Sequence, residues 1–397
     1  MCIRTSYRHT MAAAYIGYVT QAIINNFAPL LFLTFSTAWD IPLTHVAVLV
    51  AVNFGVQITV DLACAPLVDR IGYRACIVAA HLFAAAGLVG LGVFPLVFPS
   101  PFVGVVVAVV LYAVGGGLTE VLISPIVEAC PTEHKGAEMS LLHSFYCWGH
   151  VFVILASTLF FTLCGIENWA ILACLWAIVP LFNAVYFSFV PIRRLGEGEG
   201  ERAMPLSRLL CTGTFWLFIT LMFCAGAAEQ AMSQWASAFA EAGLHVSKTV
   251  GDLAGPCMFA VLMGTARLVS AWLERFIRIE VLMGICCGLC LVSYLLAALS
   301  PWDVLSLVGC GLCGLSVGIL WPGTFSMASA TCPRGGTALF ALLALAGDVG
   351  CMGGPSVVGL ATDHISGGSL KGGMLVGCIF PILLAVGLII HSRARKR

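Results

Sequence analysis

Twelve apolar stretches of about 20 residues or more, parted by short polar connections, constrain this chain more than any other feature. They run over 11–35, 43–68, 75–98, 101–128, 137–163 and 169–190, and then over 209–239, 250–273, 279–299, 303–330, 336–361 and 371–391. About 20 residues of α-helix cross a bilayer core, and hydrocarbon admits only helices or closed barrels, because every backbone polar group must be paired internally. The expected fold is therefore an all-α integral membrane protein of twelve transmembrane helices. Composition agrees, with 60% of residues hydrophobic and 10% charged, where soluble domains carry about 25% charged residues. Arg4 and Arg8 ahead of the apolar run Met11 to Phe35 look like the start of a signal peptide. That run exceeds the roughly 7–15 residues of a signal core, so it reads as the first span.

The stretch Pro191 to Arg208, PIRRLGEGEGERAMPLSR, is the longest that hydrocarbon could not hold. Its Gly, Glu and Arg content solvates well and reads as a flexible connector. It leaves 190 residues before it and 189 after it, which predicts an N-terminal six-helix bundle at 1–190, a linker at 191–208 and a C-terminal six-helix bundle at 209–397. Of the 19 Lys and Arg residues, Arg4, Arg8, Arg70, Arg74, Lys135, Arg193, Arg194, Arg202, Arg208, Arg275, Arg278, Arg334, Arg393, Arg395, Lys396 and Arg397 fall on one side. Only Lys248 and Lys371 fall on the other, and Arg267 lies inside a span. Cytoplasmic loops hold the excess of basic residues, so both termini and the linker are expected in the cytoplasm of a multi-pass plasma-membrane protein. Trp39, Trp169 and Trp302 fall on the opposite side, as an interfacial aromatic belt requires.

The halves repeat. Asp69-Arg70-Ile71-Gly72-Tyr73-Arg74 follows the second span, and Glu274-Arg275-Phe276-Ile277-Arg278 follows the eighth at an offset of 205. Cys130-Pro131 after the fourth span is echoed by Cys332-Pro333 after the tenth. With its D-R-x-G-x-R turn, two six-helix halves and long linker, the chain resembles a major facilitator superfamily transporter over its whole length. The family's turn reads G-x-x-x-D-R-x-G-R-[RK]; here Ala65 replaces the first Gly and Tyr73 the second Arg. Three further stretches resemble the fucose:proton symporter branch and its sugar-transporting relatives: Gly115-Gly116-Gly117-Leu118-Thr119-Glu120, Met139-Ser140-Leu141-Leu142-His143-Ser144-Phe145, and Glu229 to Trp235. The resemblance implies two bundles related by an axis along the membrane normal, a site near the midplane and alternating access by rocking. It also implies that Asp69, Arg70 and Arg74 help to hold a closed cytoplasmic gate.

An ionised carboxylate at bilayer depth costs at least about 2.5 kcal/mol and normally faces a cavity or a partner. Glu120 and Glu229 are therefore the expected proton-coupling residues, Glu120 first because its surroundings match the symporter branch most closely. Glu229, Gln230 and Trp235 form a polar and aromatic group suited to a hydroxylated ring, and Asn25 and Asn26 fall at the repeat equivalent of Gln230, since 25 plus 205 is 230. These residues, with His143, are the expected solute contacts. The blander reading is that such amides glue helices together or satisfy backbone groups, and it applies most to Asn25, Asn26 and Asn53. His81 and His150 read as packing residues. Asp61 and Arg267 sit at nearly equivalent depths and read as gating groups, with Arg267 reaching Glu138 at the start of the fifth span. Asp348 needs a partner inside the membrane. Gly314 to Gly318 and Gly350 to Gly354 have the spacing of close helix crossings.

The 18 cysteines lie mostly inside apolar runs and read as small packing residues. This holds even for the C-G-L-C pairs at Cys287 to Cys290 and Cys310 to Cys313, because four thiolates at membrane depth would be costly. No Walker A motif provides for ATP drive, and neither H-E-x-x-H nor G-x-S-x-G points to a polytopic enzyme. No basic patch suits nucleic acid. The expectation is a monomeric secondary transporter, without cofactor, that moves a small polar solute such as a sugar or polyol together with protons. The competing readings are efflux of amphipathic compounds and a transporter-like receptor without turnover.

Overall fold

In the computed structural model, residues 3–131, 135–193, 210–273, 276–332 and 336–395 are described. Among them there is no strand, and twelve helices are long and apolar enough to cross a membrane. We label them α1 (Tyr7–Trp39), α2 (His45–Ala63), α3 (Tyr73–Val97), α4 (Pro101–Val127), α5 (Leu141–Cys164), α6 (Ile166–Phe189), α7 (Gly213–Gly243), α8 (Lys248–Ser270), α9 (Ile279–Leu299), α10 (Asp303–Ala328), α11 (Leu342–His364) and α12 (Leu370–Arg393). Most of the expected linker, from 194 to 208, lies outside the described residues, as do Glu274, Arg275 and Pro333 of the repeated turns.

Proline decides where several of these helices are interrupted. It has no N–H to donate to the carbonyl four residues back, and its ring crowds that carbonyl. Accordingly α6 is divided into Trp169–Trp176 and Ile178–Phe189 ahead of Pro180. In the same way α10 is interrupted between the helical segments Asp303–Val317 and Leu320–Thr331, ahead of Pro322, and α12 between Leu370–Gly377 and Ile379–Arg395, ahead of Pro381, the second segment of each running a few residues past its span. In α1 the break is a 3-10 turn at Ala28–Leu31, which contains Pro29. Single π-helical turns close α7 at Phe239–Gly243 and interrupt α8 at Leu253–Cys257, which contains Pro256. The two turns lie next to a tie between their helices: Lys248 Nζ is 2.8 Å from Asp252 and 3.0 Å from Glu241.

The chain divides into two compact units. Unit 1 comprises Met1–Ile41 and Val52–Glu199, and unit 2 comprises Pro42–Ala51 and Gly200–Arg397. The core of unit 1 is built from Ala13, Ala14, Ile77, Ala80, Leu122 and Phe187 with their neighbours, all buried. Large apolar residues such as Leu96, Leu163, Phe182 and Val292 are exposed instead, the arrangement expected where the surrounding solvent is lipid. Trp39 and Trp169 pack against Phe35, and Trp302 is exposed.

With no aqueous driving force between helices, packing depends on close backbone approach across small residues. In unit 1, a Cβ at Gly115 of α4 would sit 2.5 Å from the Ala80 carbonyl oxygen of α3. In unit 2, Cβ atoms at Gly350 and Gly354 of α11 would collide with the carbonyls of Phe223 and Ala227 on α7, and one at Gly314 of α10 with the carbonyl of Phe259 on α8. Gly284 of α9 has open space around it. Gly350→Ala is therefore expected to destabilise by about 1–3 kcal/mol through overpacking. Gly284→Ala is expected to stabilise by up to about 1 kcal/mol, because alanine loses less backbone entropy in a helix. Thermal unfolding of the detergent-purified variants should move in opposite directions.

Candidate functional site

In unit 1, helical periodicity collects the polar residues. Gln21 and Asn25 lie one turn apart on α1, and Asn53, Gln57 and Asp61 repeat every four residues along α2, so each set shares one helix face. Helix α4 meets both faces at its glycines. A Cβ at Gly116 would lie 3.1 Å from the Gln57 side chain and 3.3 Å from that of Gln21, and one at Gly117 would lie 2.9 Å from Val60.

The close approach lets the amides bond to one another and to Glu120. Gln21 Nε2 donates to Gln57 Oε1 at 2.9 Å and to Glu120 Oε2 at 3.3 Å. Gln57 Nε2 donates to Asn25 Oδ1 and to Asn53 Oδ1, each at 3.0 Å, and Asn53 Nδ2 donates to Asn25 Oδ1 at 3.0 Å. All four amides are buried, whereas Glu120 is exposed. It lies roughly 10 Å of helix rise from Val127 at the end of α4. Asp61, one turn beyond Gln57, is near enough to Glu120 for the two carboxylates to repel each other. Its Oδ1 is buried without a hydrogen-bond partner among the described residues.

The other residues expected in unit 1 are placed differently. Asn26 Nδ2 donates to the Ala22 carbonyl at 3.0 Å and to Tyr146 Oη at 3.5 Å, apart from the Asn25 cluster. The His143 ring meets Tyr18 edge-on at 5.3 Å. Arg74 donates to the carbonyls of Phe187 and Ser188 at 2.9 and 2.8 Å, so that it caps the end of α6. His81 is enclosed, with Nδ1 2.8 Å from the Ile77 carbonyl and Nε2 2.8 Å from Asn183 Nδ2. The side chains of Asp69, Arg70 and Glu138 lie outside the described residues.

In unit 2 every residue of α7 from Cys224 to Ala238 is buried. Gln234 Nε2 donates to Gln230 Oε1 at 2.9 Å, and Gln230 Nε2 to Glu229 Oε1 at 3.3 Å. Arg267 of α8 lies 4.0 Å from Glu229 Oε2, so the cation expected to reach Glu138 here faces an acid of its own unit. Trp235, expected against a solute ring, is fully buried, and its indole N–H donates to the Pro355 carbonyl at 2.9 Å. It serves as a core contact between α7 and α11.

Sequence reasoning passed over Gln21 and Gln57, which join Glu120 to the asparagines. The available signal was their four-residue spacing from Asn25, Asn53 and Asp61 inside otherwise apolar spans.

Twelve apolar spans, with carboxyls and bonded amides held inside them, define a polytopic membrane carrier. The sequence signature of the Major Facilitator Superfamily matches residues 11–355, and the chain belongs to that superfamily of transporters, which are not enzymes. No curated protein matches it in sequence. Among solved structures, the chain is similar to the E. coli fucose:proton symporter at 16% identity and a TM-score of 0.65, covering 97% of this chain and 99% of that one. It is also similar to a bacterial homologue of the human lysosomal transporter Spinster, solved inward-facing and unoccupied, at 13% identity and a TM-score of 0.79, covering 98% of each chain. At these identities the likeness is one of fold.

The Glu229 and Arg267 charges match each other, so removing the cation alone leaves a buried acid without its counter-charge. Arg267→Ala should lower the unfolding temperature, and adding Glu229→Gln should restore part of the loss, with a coupling of about 0.5–3 kcal/mol in the double-mutant cycle. Additive effects would show that the two groups do not interact.

Proposed function

We propose that this transporter moves a small polar solute, a sugar or polyol, together with protons, and that Glu120 is the proton-coupling residue. The observation that supports the reading is the pairing of Glu120 with Gln21. Glu229 faces a guanidinium that already matches its charge, whereas among the described residues the hydrogen-bond partner of Glu120 is a neutral amide, and a proton would neutralise it. An acid that gains and loses contact with water as a carrier reorients can load and release that proton. The amides of Asn25 and Asn53 support the solute class. Carboxamides offer donors and acceptors side by side, which suits hydroxyl groups, each of them donor and acceptor at once. The fold shared with a fucose:proton symporter supports the same reading, as does its drive by an ion gradient.

A thermal-shift screen of sugars, polyols, carboxylates and lipophilic cations against the purified protein is expected to single out a hydroxylated solute. With that solute, Glu120→Gln should abolish accumulation driven by a proton gradient in proteoliposomes and retain counterflow, which needs binding and reorientation but no net proton movement. Glu229→Gln should weaken binding itself. Accumulation by Glu120→Gln protein under a proton gradient alone would remove Glu120 from the coupling role.

The same reading places the protein in the plasma membrane as a monomer with both termini in the cytoplasm, on the strength of the basic-residue asymmetry. Reporters fused after Arg397 and inserted within residues 196–201 should both report cytoplasm. An external signal from either would show that the span count or the orientation is wrong.

A further inference from the structure

The hydrogen bonds that reach Glu120 have a direction. Gln21 turns its amide nitrogen to both of its partners, Glu120 Oε2 at 3.3 Å and Gln57 Oε1 at 2.9 Å. Gln57 consequently turns its oxygen to Gln21 and its nitrogen to Asn25 and Asn53, whose oxygens accept at 3.0 Å. Gln21, Asn25, Asn53 and Gln57 are each 7% exposed or less, so water is in no position to replace a lost partner. Each carboxamide has one accepting and one donating end, and the orientation of one therefore fixes the next.

This order suits an ionised Glu120, which only accepts. Where the proton goes to Oε2, the oxygen that Gln21 reaches, that oxygen gains an O–H to donate, and this O–H meets the N–H of Gln21. Rotating the Gln21 amide brings its oxygen to the O–H and also to Gln57 Oε1, so Gln57 must rotate as well. Its oxygen then meets those of Asn25 and Asn53, and they turn in their place. Two further observations fit such a reversal. Gln21 Oε1 is buried with no hydrogen-bond partner among the described residues, and the rotation gives it two. Position 116 is glycine, where a Cβ would come within 3.1–3.3 Å of both glutamine side chains and crowd the space in which they turn.

We propose that Gln21 and Gln57 form a proton-triggered relay, in which protonation of Glu120 reverses their carboxamides in series and inverts the donor and acceptor pattern at Asn25 and Asn53. The proposal rests on the reading of Glu120 as the proton site and deepens it: the two glutamines are positioning residues that tell the amides of α1 and α2 whether the proton is bound. Other ionisable groups lie in this unit among the described residues. They include Asp61 from α2, which repels Glu120; Tyr18 from α1, 3.2 Å from Ser124; His143 from α5, against Tyr18; and His81 from α3, held by Ile77 and Asn183.

The test needs no solute. The chain contains five asparagines and four glutamines, so protein labelled with 13C in asparagine alone gives few overlapping signals. Infrared difference spectra of the purified full-length protein are recorded as the pH is stepped. In wild type, a protonated-carboxyl band absent from Glu120→Gln should rise together with a change in the labelled asparagine band, at the same midpoint. Gln57→Met should keep the carboxyl band and lose the asparagine change, although it alters neither Glu120 nor an asparagine; Gln21→Met should do the same if the first variant fails to fold. Gly116→Ala should diminish the asparagine change. Asp61→Asn should move both signals together. A wild-type carboxyl band without an asparagine change, or an asparagine change undiminished in Gln57→Met, overturns the relay alone. A carboxyl band that survives Glu120→Gln overturns the reading of the proton site, and the trigger with it.

Discussion

Water is missing from the middle of a bilayer, and the consequences run through every level of this structure. Backbone groups that cannot turn to solvent must bond within their own helix, which accounts for a fold made of spans and little else. Side-chain polar groups under the same constraint must find one another. The amides of α1 and α2 do so around Gln57, and those of α7 do so in the sequence Gln234, Gln230, Glu229. Apolar side chains gain little from burial against each other when lipid is the alternative, so the helices approach as closely as their backbones permit, at Gly115, Gly314, Gly350 and Gly354.

The two units meet this constraint in different ways. In unit 2 the acid on α7 stands opposite Arg267, and the local charge closes on itself. In unit 1 the acid on α4 stands opposite a neutral glutamine, with a second carboxyl, Asp61, near it. Among the described residues, one acid thus stands beside a cation and the other beside an amide.

Much of this was legible before any coordinates. Span length, span number and the two acids follow from apolar runs and from the cost of a carboxylate at depth, both of which are properties of local sequence. Gln21 and Gln57 were harder to find because an amide carries no charge to betray it, and their meaning depends on three helices converging at Gly116 and Gly117. The burial of Trp235 was invisible for another reason: α7 is enclosed on all sides from Cys224 to Ala238, so no periodicity marks which face meets protein and which meets a cavity. The approach of Arg267 to Glu229 was not legible either, since the reach of a long side chain spans more than one candidate acid.

The proline breaks in α6, α10 and α12 have a mechanical consequence. A continuous helix resists bending because each turn is cross-braced to the next, and a proline removes one brace at a fixed depth. The carbonyls of Trp176, Gly318 and Gly377, four residues ahead of Pro180, Pro322 and Pro381, have no amide hydrogen to receive from those prolines. Each of these spans is two stiff levers on a compliant joint. Strain applied at one end is taken up at that joint before it reaches the other, so a unit containing such spans has fixed points at which its helices bend.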